Sequence, residues 1–457
     1  MTNPASFADT HHNTYADLSS DHALDNHLND IDDLNYATLT EALEQTVFEN
    51  FDDGLYIGMM SGTSLDGMDA VLCQFSDSAS QESGTKQPMR LLATYSQDFP
   101  PRLREVLLAL CQPNGVNQLL AKTNEPSSEL DWFGWASREY GEFASDVVNT
   151  LLKKAKTEAE AVLAIGCHGQ TVRHRPQMGF SLQLVDPNVI AERTGISVVS
   201  DFRRRDMAVG GQGAPLVPAF HQALFAASDN TRVLLNLGGI ANITVLPAVS
   251  HDITSHDQSQ SVVGYDTGPA NLLLDAWTAL HTDKDYDASG AWAQSGQIVE
   301  PLLNQFLDHP FFARPYPKST GREDFNLEWL QNELQKFDQA SVHIRYSSAD
   351  VQATLTELTA ISASAQIKQF LNKEGQDGGA IYVCGGGALN DYLIKRLQAN
   401  LPHCTVETTA RLGLNPTWVE AVAFAWLAKQ TLMGEIGNLP AVTGANKGVV
   451  LGQVCFA

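Results

Sequence analysis

The chain has 457 residues, more than a single core of typical size holds, so two or three domains are expected. Its 53 acidic residues outnumber 29 Lys and Arg, and the net charge of −24 argues against nucleic acid as a partner. With 43% hydrophobic residues it reads as a soluble α/β protein; no apolar run reaches the roughly 18 residues of a membrane span, and no basic-then-apolar secretion signal opens the chain.

Residues 1–53 hold no Lys or Arg but 12 Asp and Glu and four of the 13 histidines, half of the net charge. This composition predicts a disordered extension, with "NYATLTEALEQTVFENF" (35–51) as one candidate helix. His11 and His12 have metal-binding chemistry, but a solvated tail is the simpler reading. The first structured segment is "YIGMMSGTSLDGMDAVLCQF" (56–75): apolar runs Tyr56 to Met60 and Ala70 to Phe75, split by a polar turn from Ser61 to Asp69. Trp132, Ala136, Tyr140, Phe143, Val147 and Leu151 share one helical face over 132–154. "GCHGQT" (166–171) follows a short strand, and "SDFRRRDMAVGGQGAPL" (200–216) gathers three arginines in a turn, a local anion site in an acidic chain.

The strand–glycine–strand pattern returns at "VLLNLGGIANITVL" (233–246). In "VVGYDTGPANLLLDAW" (262–277), a strand is predicted to end at Asp266 and a helix to begin with Pro269 in its first turn. "IYVCGGGALNDYLIKRL" (381–397) reads as strand, three glycines, then a helix with Leu389, Leu393 and Leu397 on one face. In "LNPTWVEAVAFAWLA" (414–428), Asn415 and Pro416 start an apolar helix on which Glu420 is the one carboxylate. The six scattered cysteines, without CxxC pairs, read as free thiols of a reducing cytoplasm. Glycine turns let backbone amides approach an anion closely, and Ser or Thr adds donors. Phosphate is the usual guest, yet neither GxxxxGK[ST] nor GxGxxG is present. Two phosphate hairpins and a glycine-rich strand-to-helix turn suggest two similar domains clamping a nucleotide.

That order of motifs resembles the phosphate-1, phosphate-2 and adenosine motifs of the actin, sugar kinase and heat-shock ATPase superfamily. The strings "GMMSGTSLDGMDAVL", "IGCHGQTVRH", "SDFRRRDMAVGGQGAPLVPAFH", "LLNLGGIANIT", "GYDTGPANLLLDAW", "PKSTGREDFN", "VCGGGALN" and "NPTWVEAVAFAWLA" are similar to those of the anhydro-N-acetylmuramic acid kinase family, from about Leu55 to the C-terminus. The extension 1–53 and the loop "SDSASQESGTKQP" (76–88) lie outside the shared pattern. The resemblance implies a two-domain, actin-like (ribonuclease H-like) α/β fold of mixed sheets and flanking helices, with the active site in the interdomain cleft. Its expected parts are 54–210, 211–414, and 415–457 returning to the first domain.

It further implies a cytoplasmic enzyme of murein recycling that uses ATP and Mg²⁺. The enzyme would open 1,6-anhydro-N-acetylmuramic acid with water and phosphorylate O6, giving N-acetylmuramic acid 6-phosphate. The phosphate clamp falls on Gly62, Thr63 and Ser64 within the string Gly62, Thr63, Ser64, Leu65, Asp66, Gly67, Met68, Asp69, with Gly238 and Gly239 opposite and Gly385, Gly386 and Gly387 toward the adenosine. Of Asp66 and Asp69, one is expected to order Mg²⁺ through its waters and the other to face the sugar; no metal is expected to bind protein side chains alone. Asp266 is the expected base for water, its ionised form favoured by the following helix N-terminus; a turn or N-cap aspartate is the bland alternative. Arg205 is favoured as the ligand of the lactyl carboxylate over Arg203 and Arg204, His168 has an orienting role, and Thr171 and Glu420 contact the sugar. Homodimers are expected from the family. The competing readings are a kinase for another sugar or acid and a nucleotide-dependent regulator or chaperone, although no stretch remains for a peptide-binding domain.

Overall fold

The computed structural model describes residues 54–62, 65–76, 89–119, 126–228, 230–248, 261–371 and 379–457. The extension with His11, His12 and the segment 35–51, the turn residues Thr63 and Ser64, and nearly all of the loop 76–88 lie outside the described residues.

The first apolar runs form β1 (Gly54–Met60) and β2 (Gly67–Phe75), antiparallel, with β3 (Met89–Asp98) beyond β2. On the other side of β1 lie β4 (Val162–Cys167) and then β7 (Val198–Ser200), both parallel, and β13 (Gln453–Cys455) closes the sheet antiparallel to β7. Between β4 and β7, β5 (Gln170–Arg175) and β6 (Phe180–Leu184) pair as a separate hairpin. The second sheet is built alike. Strands β8 (Arg232–Leu237), β9 (Ile240–Leu246) and β10 (Val263–Pro269) are antiparallel, and β11 (Ala380–Cys384) and β12 (Thr405–Thr408) run parallel on the far side of β8. Three antiparallel strands followed by two parallel ones occur twice, the two mixed sheets expected of an actin-like fold.

Helix α1 (Glu129–Ala155) is N-capped by Ser128, which accepts from the Asp131 amide, and buries all six residues of its expected face against the first sheet. The other helices that position the site are α2 (Phe202–Ala208), α3 (Asn271–His281), α4 (Ser348–Leu371), α5 (Asp391–Asn400) and α6 (Val419–Leu432). Helix α6 is apolar all round because it is covered all round: Val422, Phe424 and Leu427 share one core with Tyr56, Ala164 and Val199 of the first sheet and Leu234 and Tyr382 of the second. Its backbone lies directly on the first sheet. A Cβ on Gly58 would stand 1.9 Å from the Ala421 carbonyl oxygen, and one on Gly166 2.0 Å from that of Phe424.

Three boundaries differ from the sequence reading. β2 begins at Gly67, so the first turn is 61–66; Gly67, Met68 and Asp69 are strand residues paired with Asp98, Gln97 and Ser96. β10 continues through Pro269, and α3 starts only at Asn271, because Asp266 to Pro269 stays paired with β9 across a bulge. Leu389 belongs to a 3₁₀ turn (Gly386–Leu389) and is 61% exposed, while Leu393 and Leu397, with Ile394 beside them, carry the apolar face of α5.

Candidate active site

The candidate residues lie on strands of both sheets, on the turns that follow them and on the helices packed beside them. In the first turn, Leu65 takes a left-handed conformation (φ 60°) and drives its side chain into the core, so of the expected phosphate string Leu65 and Met68 are anchors. Arg104 donates to the Leu65 carbonyl at 2.8 Å and pairs with the surface-exposed Asp66 at 3.2 Å. Asp69 is different. It is half-buried, accepts from the Ser96 hydroxyl at 2.7 Å, and its carboxyl is raised by burial. Gly62 accepts the Leu65 amide at 3.3 Å, and Ser61 bonds the Tyr140 hydroxyl at 3.0 Å, tying the turn to α1.

In the second half, Gly238 and Gly239 form the turn between β8 and β9. Their carbonyls accept the amides of Ala270, Asn271 and Leu272 at 3.0–3.1 Å, which docks the turn on the start of α3. Gly385 is left-handed (φ 79°), its amide donates to the Pro416 carbonyl at 2.9 Å, and a Cβ there would stand 2.4 Å from Asn236 Oδ1. A Cβ on Gly387 would meet Leu237 at 2.6 Å, whereas Gly386 has open space, with Asn271 Nδ2 its nearest neighbour at 3.5 Å. The second and third glycine clusters are thus brought side by side.

Asn236, Asn242 and Asp266 stand directly opposite one another on β8, β9 and β10, a row of half-buried polar side chains on one face. Asn236 donates to Glu420 at 3.3 Å. Asp266 Oδ2 accepts from the Ser319 hydroxyl and the Thr320 amide, each at 3.0 Å. Burial pushes its carboxyl up to about 6 against these two bonds, with the charge of Glu323 adding to the rise. The expected helix-dipole support is corrected here: Asp266 lies within the strand, five residues ahead of α3, and desolvation outweighs the stabilisation of its ionised form.

Glu420 sits in the first turn of α6, behind a cap in which Asn415 accepts the Thr417 amide at 3.0 Å. Burial raises its carboxyl, the charge of Arg203 and the bond from Asn236 lower it, and the charge of Asp69 raises it. Arg203, on α2, donates through Nε and Nη2 to His168 Nε2 at 3.0 and 2.8 Å and through Nη1 to the Gly213 carbonyl at 2.8 Å. His168, at the end of β4, is buried; desolvation and then the guanidinium hold it neutral, and Nε2 is the accepting nitrogen. Asp69, His168, Arg203, Asn236 and Glu420 therefore form one connected group drawn from both halves of the chain.

The remaining residues lie at its margin. Arg204 pairs with Asp201, and Arg205 is exposed, with no hydrogen bond or ion pair among the described residues. Thr171 is the second residue of β5 and its hydroxyl accepts from Gln183 at 3.0 Å. Sequence reading missed Asn236, Asn242, Ser319 and Thr320. The signal for the first two was an asparagine on each side of the glycine pair inside an apolar strand; for the others it was the string "PKSTGREDFN", which held no role of its own.

Two like mixed sheets, each carrying a glycine turn, make the framework of the actin-like ATPase and sugar kinase class. The chain belongs to the anhydro-N-acetylmuramic acid kinase family, whose family model matches residues 54–457. The anhydro-N-acetylmuramic acid kinase of Psychrobacter arcticus is 80% identical over 93% of this chain and 100% of its own length. That of Saccharophagus degradans is 46% identical over 88% of this chain and 98% of its own. Among solved structures, a ROK family glucokinase from Streptomyces griseus, in complex with glucose and AMPPNP, aligns loosely: the match covers 82% of this chain and 100% of that one at 13% identity and a TM-score of 0.35.

Proposed function

We propose that the protein uses ATP and water to convert 1,6-anhydro-N-acetylmuramic acid into N-acetylmuramic acid 6-phosphate, releasing ADP and a proton, as a cytoplasmic step of murein recycling. Asp266 takes a proton from water as its oxygen attacks C1; the C1–O6 bond breaks, and O6 receives the γ-phosphoryl group. The observation that carries this reading is the state of Asp266. One oxygen is held by Ser319 and Thr320, no donor among the described residues reaches the other, and a pKa of about 6 leaves the carboxylate ionised at neutral pH yet basic enough to accept a proton.

Gly62, Thr63 and Ser64 of the first turn and Gly238 and Gly239 of the second cover the β- and γ-phosphates, and Gly385 to Gly387 take the adenosine. Asp69 fits a hydrated Mg²⁺ better than Asp66, because among the described residues it has only the Ser96 hydroxyl as partner, whereas Asp66 is paired with Arg104. Bound there, the ion would offset negative charge on the phosphates. Arg205 takes the lactyl carboxylate: the arginine beside it in the site, Arg203, is committed to His168 and Gly213, while Arg205 stands free. Glu420 and Thr171 meet sugar hydroxyls, and His168 orients Arg203. Homodimer formation belongs to the same reading and is measured by light scattering.

The deciding experiment is turnover in ¹⁸O-water. Label is expected at the anomeric hydroxyl of the product and none in its phosphate; label in the phosphate means that water attacks phosphorus and overturns the assignment of Asp266.

A further inference from the structure

β10 is an edge strand of the second sheet, and the segment from Lys318 to Thr320 lies against its open side at Asp266. The Asp266 amide donates to the Lys318 carbonyl at 3.1 Å, and the Asp266 carboxylate accepts from Ser319 and Thr320. The segment is itself held at both ends. Lys318 is only 7% exposed: its ammonium donates to the carbonyls of Phe311 and Phe312 at 3.3 and 3.2 Å and lies 4.6 Å from the centre of the Phe311 ring. Beyond Thr320, whose hydroxyl donates to Asp324 at 2.8 Å, the chain turns through the Phe325 amide on the Gly321 carbonyl, and Phe325 is fully buried. The Lys318 ammonium has no carboxylate partner among the described residues, and burial lowers its pKa.

We infer that Ser319 and Thr320, anchored by Lys318, are positioning residues for the reaction: they pin Asp266 Oδ2, aim Oδ1 at the water, and set the pH at which the base becomes active. This rests on the reading of Asp266 as the base. Hydrogen bonds to a carboxylate favour its ionised form, so loss of the Ser319 hydroxyl moves Asp266 toward protonation. The charged group that opposes ionisation is Glu323 of the same segment; Asn242, opposite on β9, is neutral, and Asp324 is occupied by Thr320 with Arg314 3.8 Å away.

The test is the pH dependence of kcat for ADP release with 1,6-anhydro-N-acetylmuramic acid, in the wild type, Ser319→Ala, Ser319→Thr, Lys318→Met and Asp266→Asn. The wild-type rate is expected to fall on the acid side with a midpoint about pH 6. Ser319→Ala moves that midpoint up by about one unit, so at pH 6 the variant runs about five-fold further below its own plateau than the wild type does. Ser319→Thr restores the midpoint, and Lys318→Met shifts it in the same direction as Ser319→Ala. A merely structural serine would lower the plateau and leave the midpoint in place. An unmoved midpoint in Ser319→Ala, with Asp266→Asn inactive, overturns the inference alone and leaves the base assignment standing. Near-normal turnover by Asp266→Asn overturns the base assignment, and the inference with it.

Discussion

Replacing Asp266 by Asn should make the folded protein more stable while removing its activity. The asparagine oxygen can still accept from Ser319 and Thr320, but no charge is left to desolvate. The native carboxyl is raised from 3.8 to about 6, roughly two units, and at ~1.4 kcal/mol per unit this amounts to an upper value of about 3 kcal/mol. Because the folded pKa lies above the unfolded one, the folded state binds more protons between the two values, and wild-type stability falls as the pH rises through that window. Below about pH 4 wild type and variant should be equally stable; the gap should open between pH 4 and 6 and hold constant above, at about 1–3 kcal/mol in favour of Asn. Thermal unfolding of both proteins without ligands from pH 4 to 8 reads this directly. A less stable Asn variant at pH 8, or a difference that does not change with pH, would refute the claim that desolvation governs Asp266. Activity should move the opposite way, with kcat down ~10²–10⁴-fold or more.

Arg205→Ala should raise KM for the sugar with little change for ATP, at a cost of about 1 kcal/mol in binding, as for a solvent-exposed ion pair, and should leave binding of an anhydro-sugar without the lactyl group nearly unchanged; equal losses for both sugars would remove Arg205 from the carboxylate site. Gly58→Ala places a methyl group 1.9 Å from the Ala421 carbonyl oxygen, so α6 must lift from β1; the expected loss is ~1–3 kcal/mol or more by denaturant unfolding. Asp206 is fully buried and accepts from the Gly213 amide at 2.8 Å, Asn438 at 2.6 Å and Thr443 at 2.7 Å. Asp206→Ala takes the acceptor from all three, leaving Asn438 and Thr443 only longer bonds of 3.4 Å to the Lys447 and Leu439 carbonyls, and should cost ~3 kcal/mol, with Asp206→Asn costing less. Deleting residues 1–53, which lie outside the matched family region, should leave kcat intact, measured on the truncated protein.

Much of this architecture follows from local pattern. The apolar runs around each glycine cluster became strands, the face from Trp132 to Leu151 became α1, and Asn415 capped the approach to α6, because burial of apolar side chains and capping of free amides act over a few residues. Glu420 could be singled out the same way, as a lone carboxylate on an apolar helix. Position along the chain could not separate the three arginines, though; α2 turns Arg203 inward to His168 and leaves Arg205 in solvent. Nor could it reveal that Asp266, 53 and 54 residues ahead of Ser319 and Thr320, would be held by them and not by the helix that follows it. Strand continuation through Pro269 moved the helix away, and an edge strand with an open amide drew in a segment from elsewhere. Helical and strand periodicity are properties of neighbouring residues, whereas a carboxyl pKa depends on whatever donors, charges and apolar atoms the fold packs around it, and those come from any distance along the chain.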